Sequence, residues 1–345
     1  MTSKERVRKA IDRETPDRVP AHSSMTPVDV EWVKKNYGLL TEEEVLTFML
    51  DDFRRVYPVY IGPELPISKK TGAQMTVWPG VTFKDGDYSL DGFPLANATM
   101  KDIENYICPK VEWFDFSSFS VPPETSKNHT TICGEPFSLL DKAYDLMGME
   151  NIMIKMFEAP DLIHALMEKI TQSRYDMIKR ILETAPWVDI FIITDELGTQ
   201  ESLLMSPEQF REFSFPYHKR LVNLIHSYGK LVYYHSCGCV MPLVPDLVEL
   251  GIDILDNLQP TAKGNDPWAI KRNFGNKLIL HVQVDEQIVM REWKPKDVYS
   301  KYRKMIEDLA VGGGFIISTT FRSQDTPREN VEALLQAIRT PLIDN

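Results

Sequence analysis

His235-Ser236-Cys237-Gly238 stands where the apolar run Lys230 to Tyr234 gives out. Alternate residues of an extended segment share a face, so the His235 imidazole and the Cys237 thiol can address one ion or one substrate. These donor types match zinc, which binds imidazole nitrogen and thiolate sulfur and acts as a Lewis acid when one coordination position stays open. A catalytic zinc takes about three ligands from the protein. Glu196, Asp195, Cys239 and His281 are candidates for the third, and their spacing does not choose among them. The alternative stays open that Cys237 is a small buried residue and His235 a hydrogen-bonded site residue with no metal. Asp195-Glu196 forms a second group, directly after the apolar run Val188 to Ile193 and Thr194. At least one of these carboxylates should project into a cavity, where desolvation raises its pKa for general-acid work. The plainer role is an acidic cap before a helix.

Such groups need elements to position them, and the chain alternates strand and helix. From Val188 onward five units repeat. The first strand leads to a helix that Ser206 caps, with Pro207 in its first turn, Gln209 completing a capping box and Gly229 at its end. Strand Lys230 to Tyr234 leads to a short helix closed by Gly251. Strand Ile252 to Leu255 leads to one begun by Asp266-Pro267 and closed by Gly275. Leu278 to Val284 precedes helix Lys296 to Ala310, and Phe315 to Thr319 precedes a helix starting at Thr326-Pro327 with Glu329 in the capping-box place. Upstream, Val19 to Ala21, Arg55 to Ile61 and Thr130 to Cys133 bring the expected strands to eight. The stripe Leu162, Ile163, Leu166, Ile170, Met177, Ile178 and Ile181 gives helix Pro160 to Thr184 one apolar face for packing on the outside of a barrel.

Residues 73 to 97 break the rhythm, and Val81 to Lys84, Asp85-Gly86 and Asp87 to Leu90 read as a hairpin with a two-residue turn inserted near the site. Trp78, Phe83, Tyr88 and Trp113 are expected mostly to pack the core or this insertion, some of them lining an apolar pocket. No GxGxxG or GxxxxGK[ST] occurs, and Gly312-Gly313-Gly314 precedes a strand, which fits a tight turn on the stable barrel face better than a phosphate cradle. Eight strands alternating with helices therefore predict an α/β chain folded as a (β/α)8 TIM barrel. It is read as a single domain over residues 1–345, with no linker or repeat array. Catalytic groups in such barrels sit where the strands end. Here those ends carry His22, Glu135, Asp195, Glu196, His235, Cys237, Asn257, Gln259, His281, Gln283, Asp285, Thr319, Thr320 and Arg322.

Composition bounds the partners. The 345 residues are 43% hydrophobic and 26% charged, enough for a large core, and the formal charge of −11 argues against nucleic acid or an anionic membrane as partner. Four cysteines, Cys108, Cys133, Cys237 and Cys239, make a poor disulfide framework at this length, which points to the cytoplasm. The opening segment MTSKERVRKAIDRETPDRVP reads as a charged amphipathic helix, no apolar run reaches 18 residues, and a soluble protein is expected.

The stretch from Thr194 to Pro260, with the SPEQFREFSFPYHKRL helix, the HSCG strand end, GIDIL and the later GGGFIIS and TPREN segments, resembles the uroporphyrinogen decarboxylase superfamily. The resemblance is to its branch of corrinoid and coenzyme M methyltransferases. It implies a distorted (β/α)8 barrel, often a homodimer, with the site at the C-terminal mouth of the strands. Two departures narrow the activity. AHSSMTPVDVEW stands where decarboxylases carry an arginine-rich RQAGRY-like segment, which argues against porphyrin decarboxylation. Zinc methyltransferases of the superfamily add a distant cysteine after the last strand, and here that place reads Ser318-Thr319-Thr320-Phe321.

The expectation is therefore an O-demethylase type methyltransferase, which moves a methyl group from a small methylated substrate, first choice an aryl methyl ether, to the Co(I) corrinoid (cobalamin type) of a partner protein. Glu196, Asp195 and His235 are its expected catalytic residues. His235, Cys237 and Glu196 are the expected zinc ligands, and Gln259, His281, Arg322 and His22 are expected to position the substrate. The alternatives are a decarboxylase or lyase gripping another carboxylated substrate through Arg322, and a non-catalytic corrinoid- or tetrapyrrole-binding barrel.

Overall fold

Eight parallel strands curl into a nearly closed barrel in the computed structural model, which describes residues 1–134 and 137–342. They are β1 (Ala21–His22), β2 (Phe53–Val56), β3 (Thr130–Cys133), β4 (Ile190–Thr194), β5 (Leu231–His235), β6 (Ile254–Leu258), β7 (Ile279–Val282) and β8 (Phe315–Ser318). The hydrogen-bonded order is β1-β8-β7-β6-β5-β4-β3-β2, so every strand lies beside its neighbours in sequence and the sheet ends meet at β1 and β2. At that seam Ala21 bridges Asp51, and the Asp52 N–H donates to the Ala21 carbonyl at 2.9 Å. The fully buried Asp52 carboxylate accepts from the Ala21 N–H at 3.0 Å, from Arg6 at 2.7 Å and from Arg18 at 2.9 and 3.0 Å. A short closing edge with few ladder bonds is thus held by a charge-assisted node.

Side chains alternate across each strand, and the alternation sorts the core. Phe53, Ile132, Ile190, Ile192, Tyr233, Ile254, Ile279 and Ile316 fill the barrel interior with Val7, which comes from the helix Ser3–Ile11 across the barrel floor. Phe191, Ile193, Val232, Tyr234, Leu255, Leu280 and Ile317 point outward into the larger core under the helices. The predicted stripe of Pro160–Thr184 is buried there. The Gly312 to Gly314 turn packs on the floor, where a Cβ on Gly313 would come within 2.5 Å of Arg13 Cα.

All eight expected strands are present, with shifted bounds. β2 stops at Val56 because Pro58 follows, and a proline has no N–H to give to a ladder. β6 begins later and runs on through Asp256 and Asn257, polar residues that read as the start of a loop. The helix expected from Ser206 to Gly229 is broken into Pro207–Phe213 and Phe215–Ser227, since Pro216 cannot continue the helical ladder. The last helix, Arg328–Arg339, starts one residue beyond a Thr326 capping box. Pro327 is still extended, and the buried Thr326 hydroxyl has no hydrogen-bond partner among the described residues. The insertion forms a three-stranded antiparallel sheet of Gln74–Met75, Thr82–Lys84 and Asp87–Tyr88, with Asp85 and Gly86 both at positive φ as a two-residue type I′ turn requires. Among the described residues no helix is long and apolar enough to cross a membrane.

Candidate active site

His235 ends β5 on the interior face, two residues above Tyr233. Its Nδ1 pairs with one oxygen of Asp256, whose other oxygen pairs with His281 Nδ1, so a single buried carboxylate ties two imidazoles together. Tyr233 Oη lies 2.6 Å from the same His281 nitrogen. Burial works against a charged His235, but the Asp256 carboxylate outweighs it and raises the imidazole pKa well above its ordinary value. Burial alone would raise Asp256, and the two imidazoles instead hold it well below the usual carboxylate range.

With Nδ1 committed to Asp256, His235 Nε2 faces the mouth, 3.7 Å from Cys237 Sγ and 3.8 Å from Glu196 Oε1. One ligand atom each from Glu196, His235 and Cys237 lies within 4.8 Å of the other two, and all three residues are half-buried. Burial raises the Cys237 thiol pKa, with His235 pulling the other way. Asn257 Nδ2 donates to Cys237 Sγ at 2.8 Å from a residue held at φ +58°, a conformation costly for a side-chain-bearing residue and one that clusters at functional sites.

The loop bearing Cys237 is pinned from several sides. Glu196 Oε2 accepts from the Cys237 N–H at 2.8 Å, Gln259 Oε1 from the Gly238 N–H at 2.9 Å, and Cys239 N–H donates to the Thr199 carbonyl at 2.7 Å. Gly238 sits at φ +74°, where a Cβ would lie 2.4 Å from the Gly198 carbonyl oxygen. Gly238→Ala is therefore expected to cost about 2 kcal/mol or more, since alanine at positive φ adds strain to a backbone clash. The loss should appear as a lower thermal midpoint.

The two adjacent acids separate by strand alternation. Thr194 and Glu196 face the cavity, whereas Asp195 points outward and is fully buried. Its carboxylate accepts the backbone N–H groups of Leu139, Leu140 and Asp141, each at 3.0 Å, and so holds the N-terminus of the helix Leu140–Met147. His218 Nε2 lies 3.0 Å from the same carboxylate. Asp195 is thus the acidic helix cap, and Glu196 alone of the pair reaches the donor cluster. Gln259 braces the loop, its Oε1 also accepting from Gln200 at 2.7 Å. His22 and His281 are buried within the barrel, their ring centroids 5.7 Å apart, with His22 Nδ1 3.2 Å from Asp51. Arg322 is exposed, with Nε 3.4 Å from Glu286. None of Gln259, His22, His281 and Arg322 lines the pocket that contains Glu196 and His235. Glu135 lies outside the described residues.

That pocket has a volume of about 680 Å³. The insertion supplies Trp78, Phe83 and Tyr88, the helix after β3 supplies Asp141 and Lys142, and the long helix supplies Arg174. Asp141 accepts the Glu196 N–H at 3.0 Å, and burial, followed by the charge of Asp195, pushes its pKa up to about 8. Sequence reasoning missed Asp256, Asp141 and Arg174. A carboxylate two residues after Ile254, on the interior face of β6, is a signal that could have found Asp256. The other two stand in helices and carry no strand-end signal.

Comparison with known proteins bears on the family and the fold. A family model described as uroporphyrinogen decarboxylase (URO-D) matches residues 124–341. The methylated-thiol–coenzyme M methyltransferase of Methanosarcina mazei is 28% identical over 210 residues, covering 60% of this chain and 52% of that protein. The chloroplastic uroporphyrinogen decarboxylase 2 of Arabidopsis thaliana is 28% identical over 212 residues, covering 57% of this chain and 48% of that protein. The chain thus spans about half the length of the curated relatives it matches. A solved methyltransferase from Methanosarcina mazei superimposes over 98% of both chains with a TM-score of 0.64 at 19% identity and shares the fold. With a family match that begins just before β3 and runs past the last helix, this chain belongs to the uroporphyrinogen decarboxylase family.

Proposed function

We propose that this chain is a methyltransferase that takes a methyl group from a small methylated substrate, in the first place an aryl methyl ether, and passes it to the Co(I) corrinoid of a partner protein. The observation that carries the reading is the Glu196, His235 and Cys237 cluster, with donor atoms within 4.8 Å of one another, two of whose members, Glu196 and His235, line a pocket walled by Trp78, Phe83 and Tyr88. The methyltransferase name of the Methanosarcina mazei relative supports it.

One nitrogen, one sulfur and one oxygen donor fit a catalytic zinc with a position left open, and the Asp256 contact to the far nitrogen of His235 is the carboxylate–histidine pairing that metal-binding imidazoles use. Zinc bound there would supply Lewis acidity toward the leaving oxygen of the methyl donor. Asp256 fixes the tautomer of His235 and aims Nε2 at the mouth. Asn257 and the pinned Gly238 turn fix the thiol. The aromatic walls exclude water and hold a flat ring, so the C–O bond breaks where hydroxide does not compete for the methyl group. The departing phenolate needs a proton or an equivalent positive partner. With Glu196 engaged as a ligand, Asp141, which lines the same pocket and whose burial keeps its pKa up at about 8, is the carboxyl group placed to provide one.

Asp256→Asn removes the charge shared by His235 and His281, and zinc affinity is expected to fall about 10- to 100-fold, as measured by competition with a chelator. The function itself is tested by mixing the purified chain with reduced corrinoid protein and a panel of methoxylated aromatics, methyl thiols and methylamines while following the cobalt spectrum. Methyl-cobalt formation from aryl ethers is expected. Formation from thiols alone would move the donor class to that of the relative, and none from any donor would remove the proposal.

A further inference from the structure

Arg174 projects from the long helix Pro160–Thr184 into the pocket that also contains Glu196 and His235, yet it is only 6% exposed. Its guanidinium carbon lies 4.9 Å from the centroid of Trp78 and 5.8 Å from that of Phe137. Among the described residues its Nε donates to the Ser138 carbonyl at 3.4 Å, and no carboxylate forms an ion pair with it. Taking a guanidinium out of water without an anion is costly, and stacking on two rings offsets only part of the cost. The neighbouring cation differs, because Lys142 is already paired with Asp145 at 2.5 Å. The carboxylates of Asp141, Asp145 and Glu196 also line the pocket and would repel a second anionic group there.

We infer that Arg174 is the anchor for a carboxylate on the methyl donor, so that the substrate class is a methoxylated aromatic monocarboxylic acid. The ring lies along Trp78 and Tyr88, the carboxylate meets the planar donor fork of Arg174, and the methoxy group is turned toward Glu196 and His235. A single unmatched positive charge calls for a single negative one, which favours a carboxylate over a phosphate. The inference rests on the proposed methyl transfer for the identity of the group carried, while the anion site itself stands on the geometry of Arg174.

The test is a binding measurement that needs neither corrinoid nor turnover, with 4-methoxybenzoate and its neutral isostere 4-methoxybenzamide titrated into the full chain by calorimetry and by tryptophan fluorescence. The acid is expected to bind about 10- to 100-fold more tightly than the amide, the range of a charge-assisted pair. In Arg174→Met the acid should fall to the level of the amide, and Arg174→Lys should keep part of the preference. Equal affinities in the unaltered protein, or no binding of either compound, would overturn the assignment even if neither variant folds. So would an unchanged acid preference in folded Arg174→Met. A packing role for Arg174 would not move the acid-to-amide ratio. Methyl transfer from neutral ethers without acid preference would remove this inference and leave the methyltransferase standing, whereas acid preference through Arg174 with no methyl transfer from any donor would do the reverse.

Discussion

Changing His235 and Cys237 together to alanine is expected to empty the site of zinc and to lower the rate of methyl-cobalt formation by about 1,000-fold or more, the scale of losing a Lewis-acid centre. The two residues supply the only imidazole and the only thiol of the cluster, and Glu196 by itself is one carboxylate on a half-exposed loop. The side effects are bounded. Asp256 keeps His281 as a partner, and the Cys237 N–H, which Glu196 accepts, belongs to the backbone and survives the substitution. The variant should therefore fold with a modestly lower thermal midpoint, show near-zero metal by elemental analysis against about one zinc per unaltered chain, and lose activity. Retained activity without metal would move the chemistry to the carboxyl groups alone.

The second large effect falls on stability. Asp195→Asn is expected to cost about 3–5 kcal/mol and to lower the thermal midpoint by about 10 °C, because three backbone N–H groups at a helix N-terminus lose the anion they all point to. An amide has one acceptor oxygen and turns its NH₂ toward donors that cannot accept. Glu196→Gln, one residue along, is expected to behave in the opposite way, with little change in midpoint and a loss of activity of about 100-fold or more. Thermal unfolding and the cobalt assay, run on both variants, separate the roles. Equal loss of activity in both at a temperature where both are folded would contradict the assignment of the inward face to Glu196.

Those two neighbours also show how far the sequence could be read. The apolar run before Asp195-Glu196 located both at a strand end, and the period of two implies that only one faces inward, but which one depends on where the strand starts. The HSCG segment was readable for the same reason, since its donors lie on one element. The Asp85-Gly86 turn and the Ser206 capping box were readable because local backbone chemistry decides them. Asp256 was hidden by its surroundings, because a polar Asp-Asn pair reads as a loop unless the barrel interior is known to be polar at that height. The positive φ of Asn257 has only a weak sequence signal, since asparagine enters the left-handed region more readily than most residues but its identity does not say where. Asp141 and Arg174 reach the pocket from helices far apart in the chain, and periodicity within a helix reports its own apolar face, not the cavity its other residues meet. His22 and His281 illustrate the converse. Both stand at strand ends and are expected from the sequence to position the substrate, yet they pair with buried carboxylates inside the barrel and do not line the pocket.

The absent cysteine after β8 bears on the centre as a whole. Ser318 and Thr319 are fully buried there, and in the proposed centre the third donor is the Glu196 carboxylate at the end of β4. X-ray absorption at the zinc edge of the metal-loaded protein tests this most directly. One sulfur in the first coordination shell, the remainder nitrogen and oxygen, with the sulfur lost in Cys237→Ser, is the predicted result. A shell with two or more sulfurs, or with none, would contradict a centre built from Glu196, His235 and Cys237.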